Sequence, residues 1–390
     1  VIPKETRMSA PWLLMVGASA RAAAASALRA GYRPWCVDRF ADADTQRLAT
    51  MPRLAADDYP ERLPALLATA PVAPWLYLGG LEHRPRLLAA CAQVRPLRGN
   101  PPAVLRGVRD PFALHALWTR AGVPALAVSA SRPANGRWLS KPWASGGGLG
   151  VGFASVGGRR YWQEYRVGTP GSLLFVTQPN GTVLFLGATV QLIGEPWLGA
   201  TGFAYCGNLG PLPLTPVEQS VAERIGRALV RAVPLVGVWG VDCVWADGVP
   251  WPVEVNPRYT AGVEVLEWAT GCVSLADPPV PPQTTGQSVG KAILYARQPS
   301  TMPDAGPWQF DRDQPDAFRR PTYADIPAPG TSLVPGQPIL TLFASGPTIM
   351  AVRSQLQRGA GCTLAALNGC AAEIRHQDGC AAEIRHQDRS

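Results

Sequence analysis

Three groups of residues in this chain combine types and spacings that could do chemistry. The first is Lys141 with the loop that follows, KPWASGGGLGVG. After Ser145, Gly146, Gly147, Gly148, Gly150 and Gly152 strip side chains from the backbone, so N–H groups can close on a phosphate. Lys141, one strand-end away, adds a compact ammonium. No GK[ST] follows, so this is not a Walker A loop, and a loop between two strands is not a dinucleotide fingerprint. Taken alone, it reads as readily as a plain hairpin connection. The second group is GVDCVWADGVPWPVEVNPR, where Asp242 lies on one strand of a hairpin and Glu254 and Asn256 on the other. Positions i and i+2 of a strand share a face, and the hairpin folds Asp242 back beside them. Three hard oxygen donors on one face suit Mg²⁺ together with substrate phosphates, and Arg258 follows within reach. The competing reading is an edge hairpin with polar residues facing water. The third is YWQEYRVG, whose Gln163 and Glu164 interrupt an apolar strand. By itself that pair reads more readily as an ordinary solvent-facing one.

The elements that must position these groups follow from period and punctuation. WLLMV at 12–16, RPWCVD ending at Asp38 and APWLYLGG read as strands. They alternate with helices near 19–30, 61–69 and RPRLLAACAQ, which predicts a parallel α/β sheet to about 98. PLRGNPPAV reads as a linker. Asp110, Pro111 and Gly122 bound a helix at 110–121. Strands dominate from 137 to 205, with a hairpin turning at Asn180-Gly181. Thr215 and Glu218 form a capping box for a helix at 215–232, with Val217, Val221, Ile225 and Leu229 as its apolar stripe. Asp247-Gly248 turns the metal-type hairpin. Residues 295–330 read as loops and YADIPAPGTSLVPGQPILTLFASG as a short β cap. GCAAEIRHQD occurs twice in succession, at 369–378 and 379–388, too short a copy for a solenoid unit.

Composition narrows the function classes. The 390 residues are 47% hydrophobic and 16% charged, which excludes a disordered tail, a collagen and a coiled coil. No apolar run approaches the ~18 residues that span a bilayer, so the chain reads as soluble, with no membrane partner. Eight scattered cysteines without a CxxC point to a reducing cytosol, hence a cytoplasmic protein. Four histidines, two of them in the repeat, do not build a zinc site. The net charge is +8, but the arginines are spread singly with no aromatic interleaving, which argues against nucleic acid. Only Lys4, Lys141 and Lys291 are lysines among 36 basic residues. Where nearly every cation is arginine, a surviving lysine marks a place that needs a point charge.

In this order, the three groups resemble the ATP-grasp superfamily, specifically its carboxylate–amine ligase branch, from about 10 to 300. The resemblance implies a Rossmann-like pre-domain (1–98), a two-lobed ATP-grasp domain (99–300, lobes 99–160 and 161–300), a β-rich cap (301–368) and the duplicated tail (369–390). It implies that Lys141 contacts the nucleotide phosphates while Ser145, Gly146, Gly147 and Gly148 close over the γ-phosphate. Gln163, Glu164, Tyr165 and Val167 would bind adenine and ribose. Asp242, Glu254 and Asn256 would hold Mg²⁺ (or Mn²⁺), and Arg258 would steady an acyl phosphate. VGASAR, with Ser19 and Arg21, and Tyr259 would meet the acceptor. The implied cofactors are ATP and Mg²⁺, the partners a small-molecule carboxylate and amine; a homodimer is compatible. The family's usual first lysine is missing here, and Arg106 or Arg109 stands nearest its place. More narrowly, NPRYTAGVE and the ADIP and PGT segments resemble ATP-grasp proteins of tetrahydromethanopterin- and methanofuran-linked C1 metabolism. Two other readings stay open: a non-catalytic ATP-binding scaffold, and a nicotinamide oxidoreductase built on VGASAR, which has one glycine in place of GxGxxG.

Overall fold

The computed structural model describes residues 9–53 and 58–369. Lys4, Met8 and the repeat beyond Gly369 lie outside the described residues.

The chain opens with β1 (Trp12–Gly17), α1 (Arg21–Arg29), β2 (Arg33–Asp38), α2 (Ala43–Leu48), α3 (Leu63–Thr69), β3 (Trp75–Tyr77) and α4 (Pro85–Val94). The strands form a parallel sheet in the order β2-β1-β3. β1 is a continuous apolar run because helices cover both its faces. Leu13 and Met15 pack with Ala20, Ala23 and Ala24 of the α1 side. Leu14 and Val16 pack on Leu63, Leu67 and Leu88 of the other.

The expected linker at 96–104 is more structured than that. α5 (Pro102–Arg109) begins inside it, with Pro102 at its first position. Before it, buried Asn100 donates to Val236 O and Pro257 O (3.1 and 2.9 Å) and accepts from Val236 N at 2.9 Å. One amide thus ties the first sheet to the strand exit that carries Arg258.

α6 (Pro111–Arg120) is capped by the Asp110 carboxylate, as its sequence predicts. β4 (Val128–Ser129), β5 (Trp138–Pro142) and β6 (Arg160–Glu164) form a small antiparallel sheet, β4-β6-β5. β7 (Thr169–Thr177), β8 (Val183–Ile193), β9 (Tyr205–Gly210), α7 (Pro216–Ala232), β10 (Gly237–Ala246), β11 (Val249–Asn256), α8 (Ala261–Thr270) and β12 (Ser288–Tyr295) follow. After β13 (Ser300–Thr301) and α9 (Gln309–Asp313) come β14 (Tyr323–Ala324), β15 (Ser332–Leu333), β16 (Pro338–Gly346) and α10 (Ile349–Leu367). The main sheet has eight strands, β11-β10-β7-β8-β9-β12-β16-β14. α7 packs one face through Ile225 and Leu229, against Phe175 and Trp239. α8 packs the other through Val263 and Leu266, against Leu174 and Val238.

Two expectations fail locally. Val217 is 61% exposed, and the buried stripe of α7 is Val221, Ala222, Ile225, Gly226 and Leu229. The first turn carries the capping box, with Thr215 Oγ1 accepting from Glu218 N. The segment expected as a short β cap supplies the edge of the main sheet. β16 pairs antiparallel with β12 from Ser288↔Gly346 to Tyr295↔Pro338, and α10 covers the pair. Apolar positions on both faces of β16 explain this, since Leu340 and Leu342 serve one core and Phe343 another.

Candidate functional site

The three sequence groups meet around one cavity of about 650 Å³ between the small sheet and the main sheet. Lys141 on β5 and Gln163 on β6 line it together with Glu164 and Tyr165. Lys141 Nζ donates to Gln163 Oε1 at 3.1 Å, and Gln163 Nε2 donates across to Val253 O of β11 at 3.2 Å. Burial works against the Lys141 charge, yet Tyr161, Glu254 and Asp242 around it hold its pKa above the ordinary lysine value. Glu164 is engaged by Ala127 N at 3.1 Å. Val167 is 70% exposed and does not face the cavity.

Ser145 to Gly148 form the roof. The loop is fastened to the main sheet: Tyr205 N donates to Gly147 O at 3.0 Å. Gly148 has φ +77° and lies so close to the Phe203 carbonyl that a Cβ would overlap it. That position needs glycine for both reasons.

The hairpin β10–β11 forms the floor. Asp242 and Glu254 are register partners, with a bulge between Asp242 and Cys243 that bends the strand there. Asn256 Nδ2 donates to Asp242 Oδ2 at 2.9 Å. Two residues that sequence reasoning missed hold the other oxygen. Ser172 Oγ donates to Asp242 Oδ1 at 2.7 Å, and Gln191 Nε2 at 2.9 Å. Both sit at alternating positions on β7 and β8, a signal only register could reveal. Burial and the facing Glu254 push the Asp242 carboxyl up to about 6. A buried carboxylate that faces a second one, beside an amide oxygen, is a donor set that a hard divalent cation would relieve. The residues fit Mg²⁺.

Arg258 lines the same cavity. Its guanidinium is held by Glu82 from the segment after β3: Nε and Nη2 both donate to Glu82 Oε1, at 2.9 and 2.7 Å. Burial alone would raise the Glu82 pKa, but Arg258 holds it at about 2. Glu82 was not legible in the sequence, because a lone glutamate 176 residues from its partner carries no pattern. Arg109, one of two candidates for the missing lysine, reaches the cavity; it donates to Val255 O at 3.3 Å and Ser145 O at 3.4 Å. Arg106 is exposed. His83 stands beside Arg109 at 3.3 Å, its pKa lowered by burial and that charge.

Ser19, Arg21 and Tyr259 do not line this cavity. Arg21 is buried in ion pairs with Glu264 (2.5 Å) and Asp325 (2.9 Å), and Ser19 Oγ lies 3.4 Å from Asp325. Tyr259 donates to Glu267 at 3.3 Å. Lys291 completes the Arg21 cluster at 2.9 Å from Glu264, which the two cations hold well below the usual carboxylate range despite its burial. Thus one of the two described lysines faces the cavity and the other serves an internal ion cluster.

Residues 113–262 match the family model of the ATP-grasp domain. The chain carries an ATP-grasp domain. That span holds Lys141, the glycine loop and the Asp242/Glu254/Asn256 floor. No curated protein matches the chain. Solved structures resemble this chain in fold. N5-carboxyaminoimidazole ribonucleotide synthetase from Thermus thermophilus is 14% identical, with a TM-score of 0.65 over 91% of this chain and 98% of that one. L-amino acid ligase from Bacillus licheniformis is 14% identical, with a TM-score of 0.64 over 91% of this chain and 98% of that one. The biotin carboxylase domain dimer of Hydrogenobacter thermophilus 2-oxoglutarate carboxylase, in complex with MgADP, ADP and bicarbonate, is 14% identical, with a TM-score of 0.65 over 88% of this chain and 89% of that one. Among the described residues, no helix is long and apolar enough to cross a membrane.

Proposed function

We propose that the protein is an ATP-dependent ligase that joins a carboxylate to an amine. The observation that carries this reading is the opposition, across one cavity, of Lys141 and the glycine loop to Asp242, Glu254, Asn256 and Arg258. The Lys141 ammonium and the loop N–H groups bind phosphate oxygens from one side. Asp242, Glu254 and Asn256 would hold Mg²⁺, which supplies charge neutralisation between phosphate oxygens when bound. Gln163, Glu164 and Tyr165, which line the same cavity, would bind the base and ribose. A substrate carboxylate oxygen attacks the γ-phosphorus and ADP leaves; Arg258 binds the resulting acyl phosphate. The amine nitrogen then attacks the acyl carbon, the C–O bond to phosphate breaks, and the ammonium proton is lost. Positioning and fixed charge dominate such a transfer, and little acid–base chemistry is asked of side chains.

The carboxylate–amine chemistry takes support from the fold shared with an enzyme named as an L-amino acid ligase. The nicotinamide reading loses support at Asp38. A dinucleotide ribose would need that carboxylate free, and it is 1% exposed, spent on Ala20 N (2.7 Å), Phe40 N (2.8 Å) and Ala41 N (3.1 Å). The context we propose for the ligase is the synthesis of a C1 cofactor of the tetrahydromethanopterin or methanofuran type, on the strength of NPRYTAGVE and the ADIP and PGT segments. A screen for ADP release over amino acids, aryl amines and pterin or furan precursors tests both levels. Release with any acid–amine pair supports the ligase, and release confined to pterin or furan precursors supports the C1-cofactor context. ATP binding without phosphate release in any combination would favour a scaffold.

A further inference from the structure

Arg258 stands among three carboxylates, and only one of them holds it. Asp242 and Glu254 both act on its charge, yet its hydrogen bonds to carboxylate go to Glu82. Its Nη2 is already 3.5 Å from Asn256 Oδ1, the amide oxygen of the metal-type floor. A guanidinium released from Glu82 therefore has a short path to the floor carboxylates, where it would be the cation that Mg²⁺ has to displace. Glu82 itself is 4% exposed, and its Oε2 is buried without a hydrogen-bond partner. Ordinary surface pairing does not explain a carboxylate desolvated so fully for one contact.

We infer that Glu82 is a positioning residue that holds Arg258 off Asp242 and Glu254 and so keeps the floor open to a divalent cation. The first sheet, through Glu82, thereby sets metal affinity in a site it does not line. This rests on the ligase reading only for the identity of the floor as a metal site.

The test is Mn²⁺ titration by electron paramagnetic resonance on the ADP-bound protein, in wild type, Glu82→Gln and Glu82→Gln/Arg258→Met. Glu82→Gln should weaken Mn²⁺ binding by about 10–100-fold, the usual cost of removing an outer partner of a metal site. The double variant should return Mn²⁺ affinity to wild type or better, because the competing cation is gone. A structural role for Glu82 predicts no such rescue. If Glu82→Gln unfolds, the double variant, which removes both charges, is compared directly with wild type; Mn²⁺ affinity well below wild type in that folded protein overturns the inference. Unchanged Mn²⁺ affinity in a folded Glu82→Gln also overturns it. A wild type that binds neither ADP nor Mn²⁺ refutes the functional reading instead.

Discussion

Lys141 and Arg258 make opposite demands on their surroundings, and their variants should separate. Lys141→Ala removes a buried ammonium held by Gln163, and ATP affinity should fall by roughly 10–100-fold, the ~1.5–3 kcal/mol of a charged hydrogen bond. Lys141→Arg should restore only part of it, because a planar guanidinium is wider than, and hydrated differently from, the compact ammonium that donates to Gln163 Oε1. Equal ATP affinity in wild type and Lys141→Ala, measured by calorimetry, would remove Lys141 from the site. Arg258→Ala should leave ATP binding per folded molecule nearly unchanged and lower kcat by roughly 100–1000-fold, as when one preorganised charge-stabilising group is lost. It should also destabilise the fold by about 3–5 kcal/mol, because Glu82 is left as a buried, unpaired charge. Normal turnover beside a lowered Tm would make Arg258 structural. The sequence revealed these two residues because each belongs to a local pattern: a lysine before glycines, an arginine after Asn-Pro. It did not reveal Ser172, Gln191 or Glu82, whose roles come from register and from contacts 19 to 176 residues apart.

The glycine loop and the edge of the main sheet show how far local signals reach. Gly148→Ala cannot keep the observed loop path, since φ is +77° and the Phe203 carbonyl occupies the space for a Cβ. ADP affinity should drop at least about tenfold, a strain of only ~1.4 kcal/mol, and limited proteolysis within 144–150 should accelerate. Gly146→Ala, with open space around its Cβ position, should leave proteolysis unchanged. Equal protease sensitivity in both variants would mean that the Phe203 contact does not fasten the roof. The hairpin β10–β11 was legible because Asp247 and Gly248, both at positive φ, mark a tight turn between alternating strands. β16 was legible as a strand but not as a partner of β12. Nothing local says which edge a strand will join when the pairing spans more than forty residues and a stretch rich in proline. Val217 failed for the related reason that a helical stripe shows which face is apolar, not which of its turns finds a packing partner.

Buried acids set how the molecule as a whole responds to pH. Burial raises Asp38 to about 6, burial and Asp325 raise Asp44 to about 7, and burial with Asp44 and Asp325 pushes Asp42 up strongly. In each case the folded pKa exceeds the unfolded one, so the folded chain holds extra protons and stability declines as pH climbs from about 4 to 7. Glu82, lowered to about 2, keeps its full contribution above the unfolded value of 4.5 and so adds no slope between pH 5.5 and 7.5. His83, lowered from 6.5, acts in the opposite sense, one group against several. The metal- and nucleotide-free protein should therefore melt a few degrees higher at pH 5.5 than at pH 7.5. A flat or reversed Tm across that range would mean that these acids are ionised in the folded chain. The buried guanidinium of Arg21 bears on a different matter, the order in which the protein can be made. Its counterions are Glu264, 243 positions later, and Asp325, 304 positions later. At roughly 5–20 residues per second of synthesis, Arg21 waits on the order of 15–60 seconds for a complete partner set. Until then the first helix cannot bury that charge, and the nascent α/β unit stays open on the ribosome until its distant acids arrive.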